Sequence, residues 1–329
     1  MSAPAWLGID LGGTKMLAVV YGADGQVLGS AKRKTKAQLG QAAGLERLLK
    51  TAEEAVAAAG LAGDALRGVG IGCPGPLDLE AGVLLSAANL GWERVDLRAL
   101  LQEKFGVPVA VANDVDAGVF GEALAGAGRG KDRVLGVFPG TGIGGGMVDG
   151  GRLFQGRRSS CMEIGHLRVL PEGPRCGCGR RGCLEAVASR LAVATGAAAA
   201  AMRGQAPWLK EHAGTDPEKY RSGTLAEAIA HGDTRVRELV EDACDHLGGA
   251  LGDLVNVLAP DAVVLGGGMV EAMAELMLPR IAAAMQPRVM EAYAGSYTLV
   301  AASLGDQAVS LGAAALARSL VDEGRPGHG

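Results

Sequence analysis

The sequence predicts an α/β protein of two domains, and three observations point to this. The chain has 329 residues, enough for two domains of about 100–200 residues each. Apolar runs typical of buried strands alternate with stretches of helical periodicity along the whole chain. A glycine-rich turn between apolar strands occurs twice, at Leu7–Leu28 and Leu135–Phe154. These two copies predict two similar halves that face one another across a cleft.

Composition excludes several classes of protein. The 48% hydrophobic content and net charge of −4 exclude a disordered chain and give no basic surface for nucleic acid. The 53 glycines lack the three-residue period of collagen. The N-terminal residues do not resemble a signal peptide. The longest apolar stretch, Leu184–Met202, carries charges that disfavour a membrane span. We therefore expect a cytoplasmic enzyme with neither nucleic-acid nor membrane partners.

The first half of the chain alternates strands and helices. The hairpin at Leu7–Leu28 predicts three strands joined by tight turns. Apolar residues at helical spacing predict a helix over Ala43–Gly60. Continuous apolar runs predict buried strands at Val69–Cys73 and Val107–Ala112. The other helices predicted in this half are Asp96–Phe105 and Asp114–Ala125.

The second half repeats the alternation after its own hairpin. Helices are predicted over Leu184–Met202, Thr224–Ala230 and Val236–Leu258. The polar stretch Gly204–Gly223 predicts an inserted loop or a partly helical excursion. The strand Ala262–Leu265 runs into three glycines. The remaining predictions are helices over Val270–Met285 and Asp306–Val321, and a frayed GRPGHG end.

Both glycine hairpins are candidates for phosphate binding. Gly140–Gly145 matches G-x-G-x-x-G, but the residues that follow indicate a strand where a dinucleotide-binding fold requires a helix. A hairpin whose backbone N–H groups and threonine hydroxyl cradle phosphate is therefore favoured. The sequence Asp10–Lys15 offers the same arrangement. Two ordinary tight turns are the alternative. The proposed phosphate contacts are Gly12, Gly13, Thr14, Lys15, Gly140, Thr141 and Gly142.

Two further features bear on the same ligand. Asp10 ends a predicted strand beside the first hairpin, where its carboxylate could hold Mg²⁺ or serve only as a turn residue. Gly266, Gly267 and Gly268 join a strand to a helix. They could pack against the base or ribose of a nucleotide, or simply allow the helix to pack on the strand.

Asn113 and Asp114 follow the buried run VAVA. Ligands of α/β proteins bind at the carboxyl ends of strands. A carboxylate at that position could accept a proton from a hydroxyl that attacks a γ-phosphate. Alternatively, either residue caps the following helix.

A histidine and three cysteines predict a metal site. They are His166, Cys176, Cys178 and Cys183, and the glycines between the cysteines permit a tight loop. These four side chains supply the ligands of a closed tetrahedral Zn²⁺ site, which would be structural because no position stays open for catalysis. Free thiols or a redox pair are the alternatives. Glu163 and Glu185 flank the ligands and could accept hydrogen bonds from the adjacent hydroxyls of a polyol.

Together these motifs resemble the ROK family of sugar kinases and repressors, within the actin-like ATPase superfamily. The resemblance extends from Gly8 to about Ala317 and includes DLGGTK, GTGIGGG and EIGH with CGCGRRGCLE. It implies a two-domain, ribonuclease H-like fold of mixed sheets with flanking helices. We expect a smaller domain of residues 1–114, completed by a helix at about 306–329, and a larger domain of residues 115–305 with the zinc loop. Repressors of the family carry a DNA-binding segment before the first hairpin, whereas only seven residues precede Gly8 here, which favours the kinase branch.

The resemblance also implies roles for individual residues. Asp114 corresponds to the general base that acts on the 6-hydroxyl of a sugar. The zinc-bound His166 would touch the sugar through its other ring nitrogen. The residues that correspond to sugar-binding positions are Gly75, Asn89, Asn113, Asp114, Glu163, His166 and Glu185.

Two segments depart from the family pattern. Ser159–Met162 stands where small residues usually precede EIGH, and Ala188–Arg190 stands where the pattern usually reads A-S-G. We expect both to lie near the sugar site and to affect which hexose is bound.

The expected activity is phosphorylation of a hexose by ATP with Mg²⁺, most simply of glucose to glucose 6-phosphate. N-acetylmannosamine, N-acetylglucosamine, fructose or allose are alternative sugars, and polyphosphate is an alternative donor. The alternative to an enzyme is a regulator that senses a sugar without catalysing a reaction. The resemblance suggests a homodimer or homotetramer.

Overall fold

The computed structural model of the chain describes residues 3–61 and 64–322. Its strands are β1 Ala5–Leu11, β2 Lys15–Gly22, β3 Val27–Lys34, β4 Leu66–Cys73, β5 Leu77–Asp78, β6 Val83–Ala87, β7 Trp92–Asp96, β8 Val109–Asn113, β9 Arg133–Pro139, β10 Ile143–Asp149, β11 Arg152–Leu153, β12 Ala262–Leu265 and β13 Thr298–Ala301. Its α-helices are α1 Gln41–Ala58, α2 Leu97–Phe105, α3 Asp114–Ala125, α4 Leu184–Ala188, α5 Arg190–Met202, α6 Pro207–Ala213, α7 Ser222–Ala230, α8 Thr234–Leu258, α9 Gly267–Met285 and α10 Ala308–Asp322.

The chain packs as two units. Of the described residues, the first comprises 3–61, 64–130, 146–161 and 306–322, and the second comprises 131–145 and 162–305. The predicted domain boundaries at residues 114 and 305 stay a prediction. Packing joins α3 to the first unit, because Gly312 of α10 lies against the backbone of Ala117 without room for a Cβ.

The first unit contains a five-stranded sheet of order β3-β2-β1-β4-β8. Strands β1, β2 and β3 pair antiparallel, while β4 pairs parallel with β1 and β8. The parallel register aligns Asp10 with Gly72, and Cys73 with Asn113. The carboxyl ends of β1, β4 and β8 therefore meet at one edge of the sheet, where α/β folds bind their ligands.

Helices cover both faces of this sheet. Leu48, Ala52 and Ala55 of α1 pack with the strands in one apolar core. On the other face, α10 packs so closely that a Cβ on Gly8 or Gly70 would collide with its carbonyl oxygens. Glycine at these strand positions lets α10 lie directly on the sheet. The first unit also contains a three-stranded sheet of order β5-β6-β7.

The second unit is centred on the parallel strands β9, β12 and β13. The full order of this sheet is β11-β10-β9-β12-β13, and strand β10 carries the chain from the second unit into the first. Helices α8 and α9 pack against one another, and Cys244, Leu247 and Leu251 of α8 are fully buried. A Cβ on Gly248 would lie 2.6 Å from the carbonyl oxygen of Ile281, so glycine permits the close approach of the two helices.

The predicted α/β fold of mixed sheets is confirmed, with corrections. The expected single helix over Leu184–Met202 is wrong, because Ser189 interrupts it and caps α5 by accepting a hydrogen bond from the Ala192 N–H at 3.2 Å. Of the two alternatives for Gly204–Gly223, the partly helical one is confirmed, because the segment contains the helix α6, which begins with a proline. Sequence periodicity missed β5, β6, β7 and β13, which have two to five residues each.

Two further expectations concern the C-terminal end and membrane spans. The predicted frayed end GRPGHG lies outside the described residues. Among the helices of residues 3–61 and 64–322, none combines the length and apolar character that a membrane span requires.

Candidate active site

Asn113 and Asp114 occupy the carboxyl edge of the first unit's sheet, where β8 turns into α3. Asn113 caps the helix, since its Oδ1 accepts hydrogen bonds from the N–H groups of Val115 and Asp116 at 2.9 and 3.3 Å. The capping alternative is therefore confirmed for Asn113. The Asp114 Oδ1 accepts a hydrogen bond from the Val115 N–H at 3.0 Å, which fixes the carboxylate at the start of the helix.

Two carboxyl groups face the same part of this edge. Burial raises the pKa of the Asp114 carboxyl, while the N–H of Val115 opposes that rise. The pKa of Asp10 is raised to about 7, first by burial and then by the negative charge of Asp114, while Lys15 acts to lower it. Repulsion between two carboxylates is relieved by a proton or by a bound cation. Carboxylate oxygens are the ligands that Mg²⁺ prefers, so the donor set at Asp10 fits that ion.

The predicted ligand-binding residues of the first unit converge on this edge. A Cβ on Gly13 would lie 3.0 Å from the Asn89 amide nitrogen, and a Cβ on Gly75 would lie 3.8 Å from that of Asn113. The first hairpin, the loop that carries Asn89 and the end of β8 are thus neighbours. Thr14 is exposed at the tip of the hairpin.

Lys15 is already engaged in an ion pair. Its ammonium group binds Asp306, which also accepts a hydrogen bond from Lys32 at 2.9 Å. Two lysines on adjacent strands share this carboxylate, which lowers the pKa of Asp306. Sequence reasoning missed Asp306, because it lies 291 residues from Lys15 and no local pattern connects them.

The predicted metal ligands of the second unit lie together. They are His166, Cys176, Cys178 and Cys183, whose ligand atoms are all within 4.8 Å of one another. The Cys176 sulfur is 3.6 Å from the His166 Nδ1, and the sulfurs of Cys178 and Cys183 are 3.7 Å apart. Such separations suit ligands placed at about 2.0–2.3 Å around one tetrahedral Zn²⁺. The imidazole turns its Nδ1 toward the thiols, which leaves the Nε2 for another partner.

Local chemistry favours the thiolate at one ligand. Hydrogen bonds from the backbone and side chain of Arg180 lower the pKa of the Cys178 thiol to about 6. The thiolate is the form that binds metal. Gly182, at φ +72°, lies directly against the Leu170 carbonyl, so the loop before Cys183 closes only with glycine at this position.

Glu185 connects the metal cluster to the second hairpin. Its Oε2 accepts a hydrogen bond from the Ile143 N–H at 3.0 Å, and its Oε1 lies 3.6 Å from the Cys176 sulfur. A Cβ on Gly142 would collide with this carboxylate. Glu163 is exposed and precedes the short 3₁₀ turn that contains His166.

The third glycine cluster brings the start of α9 close to the end of β9. Gly267 has φ +80°, and a Cβ there would lie 2.9 Å from the Pro139 carbonyl oxygen. A Cβ on Gly268 would lie 3.2 Å from the Ser222 hydroxyl. Close packing therefore accounts for both glycines, and it places the N-terminal turn of α9 beside Pro139, which directly precedes the second hairpin.

Comparison with known proteins decides the family. The ROK family model matches residues 6–320. The chain belongs to the ROK family. It is 34% identical over 316 residues to a glucokinase of Thermotoga maritima, with 96% of this chain and 98% of that protein covered.

Two further matches show the breadth of the ROK relatives. A crystal structure of a ROK family glucokinase from Streptomyces griseus, in complex with glucose and AMPPNP, matches with a TM-score of 0.81 and 31% identity, covering 96% of this chain and 99% of that one. The xylose repressor of Bacillus subtilis is 30% identical over 247 residues, or 75% of this chain and 60% of that protein. The predicted fold class and the prediction of a hexokinase-type sugar kinase are confirmed.

Arg190 departs from the ROK pattern and contacts the second hairpin. Its Nη2 donates a hydrogen bond to the Thr141 hydroxyl at 2.8 Å, and its backbone N–H donates one to the Gly140 carbonyl at 2.9 Å. That this departure lies near the sugar site stays a prediction, and its direct contacts are with the hairpin proposed to bind phosphate.

The other departure, Ser159–Met162, includes a serine that is hydrogen-bonded to the buried carboxylate of Asp116 in the first unit. The Ser160 hydroxyl donates a hydrogen bond to Asp116, which also accepts one from the Gln155 side chain at 3.1 Å. Asp116 is only 1% exposed, so these bonds compensate part of the cost of burying its charge. Ser160 thereby holds the segment that leads to Met162 and Glu163.

Proposed function

We propose that this ROK protein transfers the γ-phosphoryl group of ATP to the 6-hydroxyl of glucose. The observation that carries the proposal is the Asp114 carboxylate, which the helix α3 holds at the carboxyl edge of the first unit's sheet beside Asp10. A general base needs a positioned carboxylate that can accept the proton of the attacking hydroxyl. Burial raises the pKa of Asp114 and so makes it a better proton acceptor.

The other groups of the site would bind and orient the substrates. The hydroxyls of Thr14 and Thr141, with the N–H groups of their hairpins, would bind phosphate oxygens. Mg²⁺ at Asp10 would neutralise charge on the phosphates. The proposed sugar ligands are Gly75, Asn89, Asn113, Glu163, His166 and Glu185. The capping role of Asn113 engages its Oδ1, so it would bind sugar as a donor through its Nδ2.

Zinc would have a structural part in this site. His166, Cys176, Cys178 and Cys183 would hold it, and it would supply rigidity to the loop that carries His166 and Glu185. Glu185 keeps one oxygen on the Ile143 N–H, so its sugar contact would use the other. The His166 Nε2 would donate to or accept from a sugar hydroxyl.

The relatives support this choice of substrate and donor. The Streptomyces griseus glucokinase was crystallised with glucose and AMPPNP, and this chain matches it along nearly its whole length. We propose in addition that the protein is cytoplasmic and that it forms a homodimer or homotetramer. Light scattering of the purified protein measures the oligomeric state.

The experiment is an ADP-release assay with Mg-ATP over a panel of sugars. The panel contains glucose, fructose, allose, N-acetylglucosamine and N-acetylmannosamine. Tripolyphosphate is tested as an alternative donor, and for it the sugar phosphate formed is measured because no ADP is released. We expect the highest kcat/KM with glucose and ATP. If another sugar has a higher kcat/KM, that sugar replaces glucose in the proposal. If sugar phosphate forms with tripolyphosphate but not with ATP, polyphosphate replaces ATP as the proposed donor.

A sugar-responsive regulator is the second candidate, because xylose repressors match most of this chain. Such a protein would bind a sugar without consuming ATP. The same assay, run beside calorimetric sugar titrations on zinc-loaded protein, separates the two. Sugar binding without turnover of any sugar would favour the regulator.

A further inference from the structure

Arg190 is built into the second unit next to the hairpin of Gly140–Gly142. It is the first residue of α5, and three hydrogen bonds fix its position. The backbone N–H binds the Gly140 carbonyl, the Nη2 binds the Thr141 hydroxyl, and the Nη1 donates to the Tyr220 carbonyl at 3.2 Å. The guanidinium group is therefore held in one orientation by the fold.

The charge of Arg190 is not balanced by a neighbouring acid. Both acceptors of its guanidinium group are neutral oxygens. Partial burial lowers the pKa of Arg190, and the second cation, Arg221, lowers it further, although arginine keeps its charge in proteins. Within residues 3–61 and 64–322, no carboxylate forms an ion pair with either arginine. Two nearby guanidinium groups without an acidic partner attract an anion.

The surroundings of the two arginines specify the kind of anion. Arg221 is followed by Ser222, whose hydroxyl lies beside Gly268 in the first turn of α9. Gly267, at the start of α9, lies against the Pro139 carbonyl, directly before the hairpin of Gly140–Gly142. The hairpin of Thr141, the start of α9 and two guanidinium groups thus meet in one region of this unit. That combination suits a chain of linked phosphates better than a single carboxylate, because the positive groups are spread over several residues.

We propose that the guanidinium groups of Arg190 and Arg221 bind the phosphate chain of the phosphoryl donor. Arg190 is the principal contact, since it is fixed and partly buried, and Arg221 adds an exposed second cation. The inference rests on the proposed function and deepens it, because it names the side chains of this chain that would bind the phosphates of the donor.

A purely structural role for Arg190 makes a different prediction. If it only clamps Thr141 to Tyr220, its loss disturbs the hairpin and weakens every ligand of the site alike. A phosphate-binding role weakens only ligands that carry phosphates. Adenosine, ATP and inorganic tripolyphosphate distinguish these roles and also separate a nucleotide donor from a polyphosphate donor.

The test is calorimetric titration of these three ligands, with Mg²⁺ present, into wild-type protein and four variants. Arg190→Gly removes the side chain, Arg190→Lys keeps the charge but cannot form two parallel hydrogen bonds, and Arg221→Ala removes an exposed cation. Arg203→Ala, at the opposite end of α5, is the matched control. Thermal unfolding of each variant reports whether the fold is retained.

Arg190→Gly is expected to weaken ATP and tripolyphosphate by about 10- to 100-fold, the range for a charge-assisted hydrogen bond, and to leave adenosine unchanged. We expect an intermediate loss for Arg190→Lys, a loss of about 3- to 10-fold for Arg221→Ala, and none for Arg203→Ala. Unchanged affinity for ATP and tripolyphosphate in Arg190→Gly overturns the inference, and so does an equal loss for adenosine. If the wild-type protein binds tripolyphosphate more tightly than ATP, the phosphoryl donor is a polyphosphate and not a nucleotide.

The failure of this inference and that of the proposed function are separable. Hexose turnover with an ATP KM that Arg190→Gly leaves unchanged rejects the arginine contact and keeps the kinase. Phosphate affinity that depends on Arg190, in a protein that phosphorylates no sugar, keeps the contact and rejects the kinase.

Discussion

The two glycine hairpins share a sequence pattern but differ in the charged side chains beside them. The first, at Asp10–Lys15, is next to the carboxylates of Asp10 and Asp114, and its lysine is paired with Asp306. The second, at Gly140–Gly142, is next to the carboxylate of Glu185 and the guanidinium group of Arg190. The same turn sequence therefore lies beside two carboxylates in the first unit, and beside one carboxylate and one guanidinium group in the second. Side chains brought in from distant parts of the chain make this difference.

The largest effect is expected at the acidic hairpin, from Asp114→Asn. The amide keeps the size and hydrogen-bonding shape of the side chain but cannot accept the hydroxyl proton. Turnover should fall by about 10²- to 10⁴-fold while the affinity for glucose changes only a few-fold. Steady-state kinetics and calorimetry measure the two quantities, with Asp24→Asn, at an exposed turn of the same unit, as the control. Turnover near the wild-type rate would remove Asp114 from the role of base.

The second hairpin should depend on the metal cluster, whereas the first should not. Cys178→Ala removes one of four ligands and should reduce the zinc content of purified protein from one ion per chain toward zero. The loop that positions Glu185 then loosens, so hydrogen exchange at the Ile143 amide should accelerate by at least about 10-fold. The Thr35 amide, which binds the Thr14 carbonyl in the first unit, should exchange at its former rate.

Cys161→Ala is the control for that experiment, because Cys161 is a thiol outside the cluster. It should retain zinc and the wild-type exchange rates. Undiminished zinc in Cys178→Ala would contradict the four-ligand site, and equal acceleration at Thr35 would contradict the separation of the two hairpins.

A smaller effect is expected from the raised pKa of Asp10. Because the folded pKa, about 7, exceeds the ordinary value of 3.8, the folded protein binds the proton more tightly than the unfolded chain. Stability is therefore lost as the pH rises from about 4 to 7. In EDTA, Asp10→Asn should flatten this part of the profile by up to a few kcal/mol, as measured by urea unfolding at several pH values. Mg²⁺ should stabilise the wild type at pH 8 but not Asp10→Asn, and an equal response of both would exclude Asp10 as its ligand.

The smallest effect is expected at Asp306, whose pKa is shifted in the opposite direction to that of Asp10. Lysines 15 and 32 lower its pKa, so its contribution is present above the ordinary pKa of the carboxyl and is lost as the pH falls below it. The side chain is 53% exposed, and solvent screens such pairs. Asp306→Asn should therefore destabilise the protein by less than about 1 kcal/mol at neutral pH, and by still less in 1 M salt. A larger loss, insensitive to salt, would show that the carboxylate has a structural role beyond the ion pair.

Much of the fold could be predicted because its strands and helices are encoded locally. The helix over Asp114–Ala125 and the strand over Ala262–Leu265 were predicted with the bounds that the structure has. The short strands β5, β6 and β7 were missed because two to five residues give too little periodicity to distinguish a strand from a loop. The break at Ser189 was missed because an alanine-rich stretch on either side favours helix, and only the capping bond to Ala192 shows where the second helix starts.

The sequence by itself predicted the longer elements, the glycine turns, the four candidate metal ligands and the family, because each depends on residues close together in the chain or on a motif read in order. Only the tertiary structure decided which charges meet. Lys15 meets Asp306 from across the chain, Glu185 joins the metal loop to the Ile143 amide, and Arg190 reaches Thr141. These pairings depend on how strands and helices pack, since a side chain's charge is visible in the sequence but its neighbours are set by the fold.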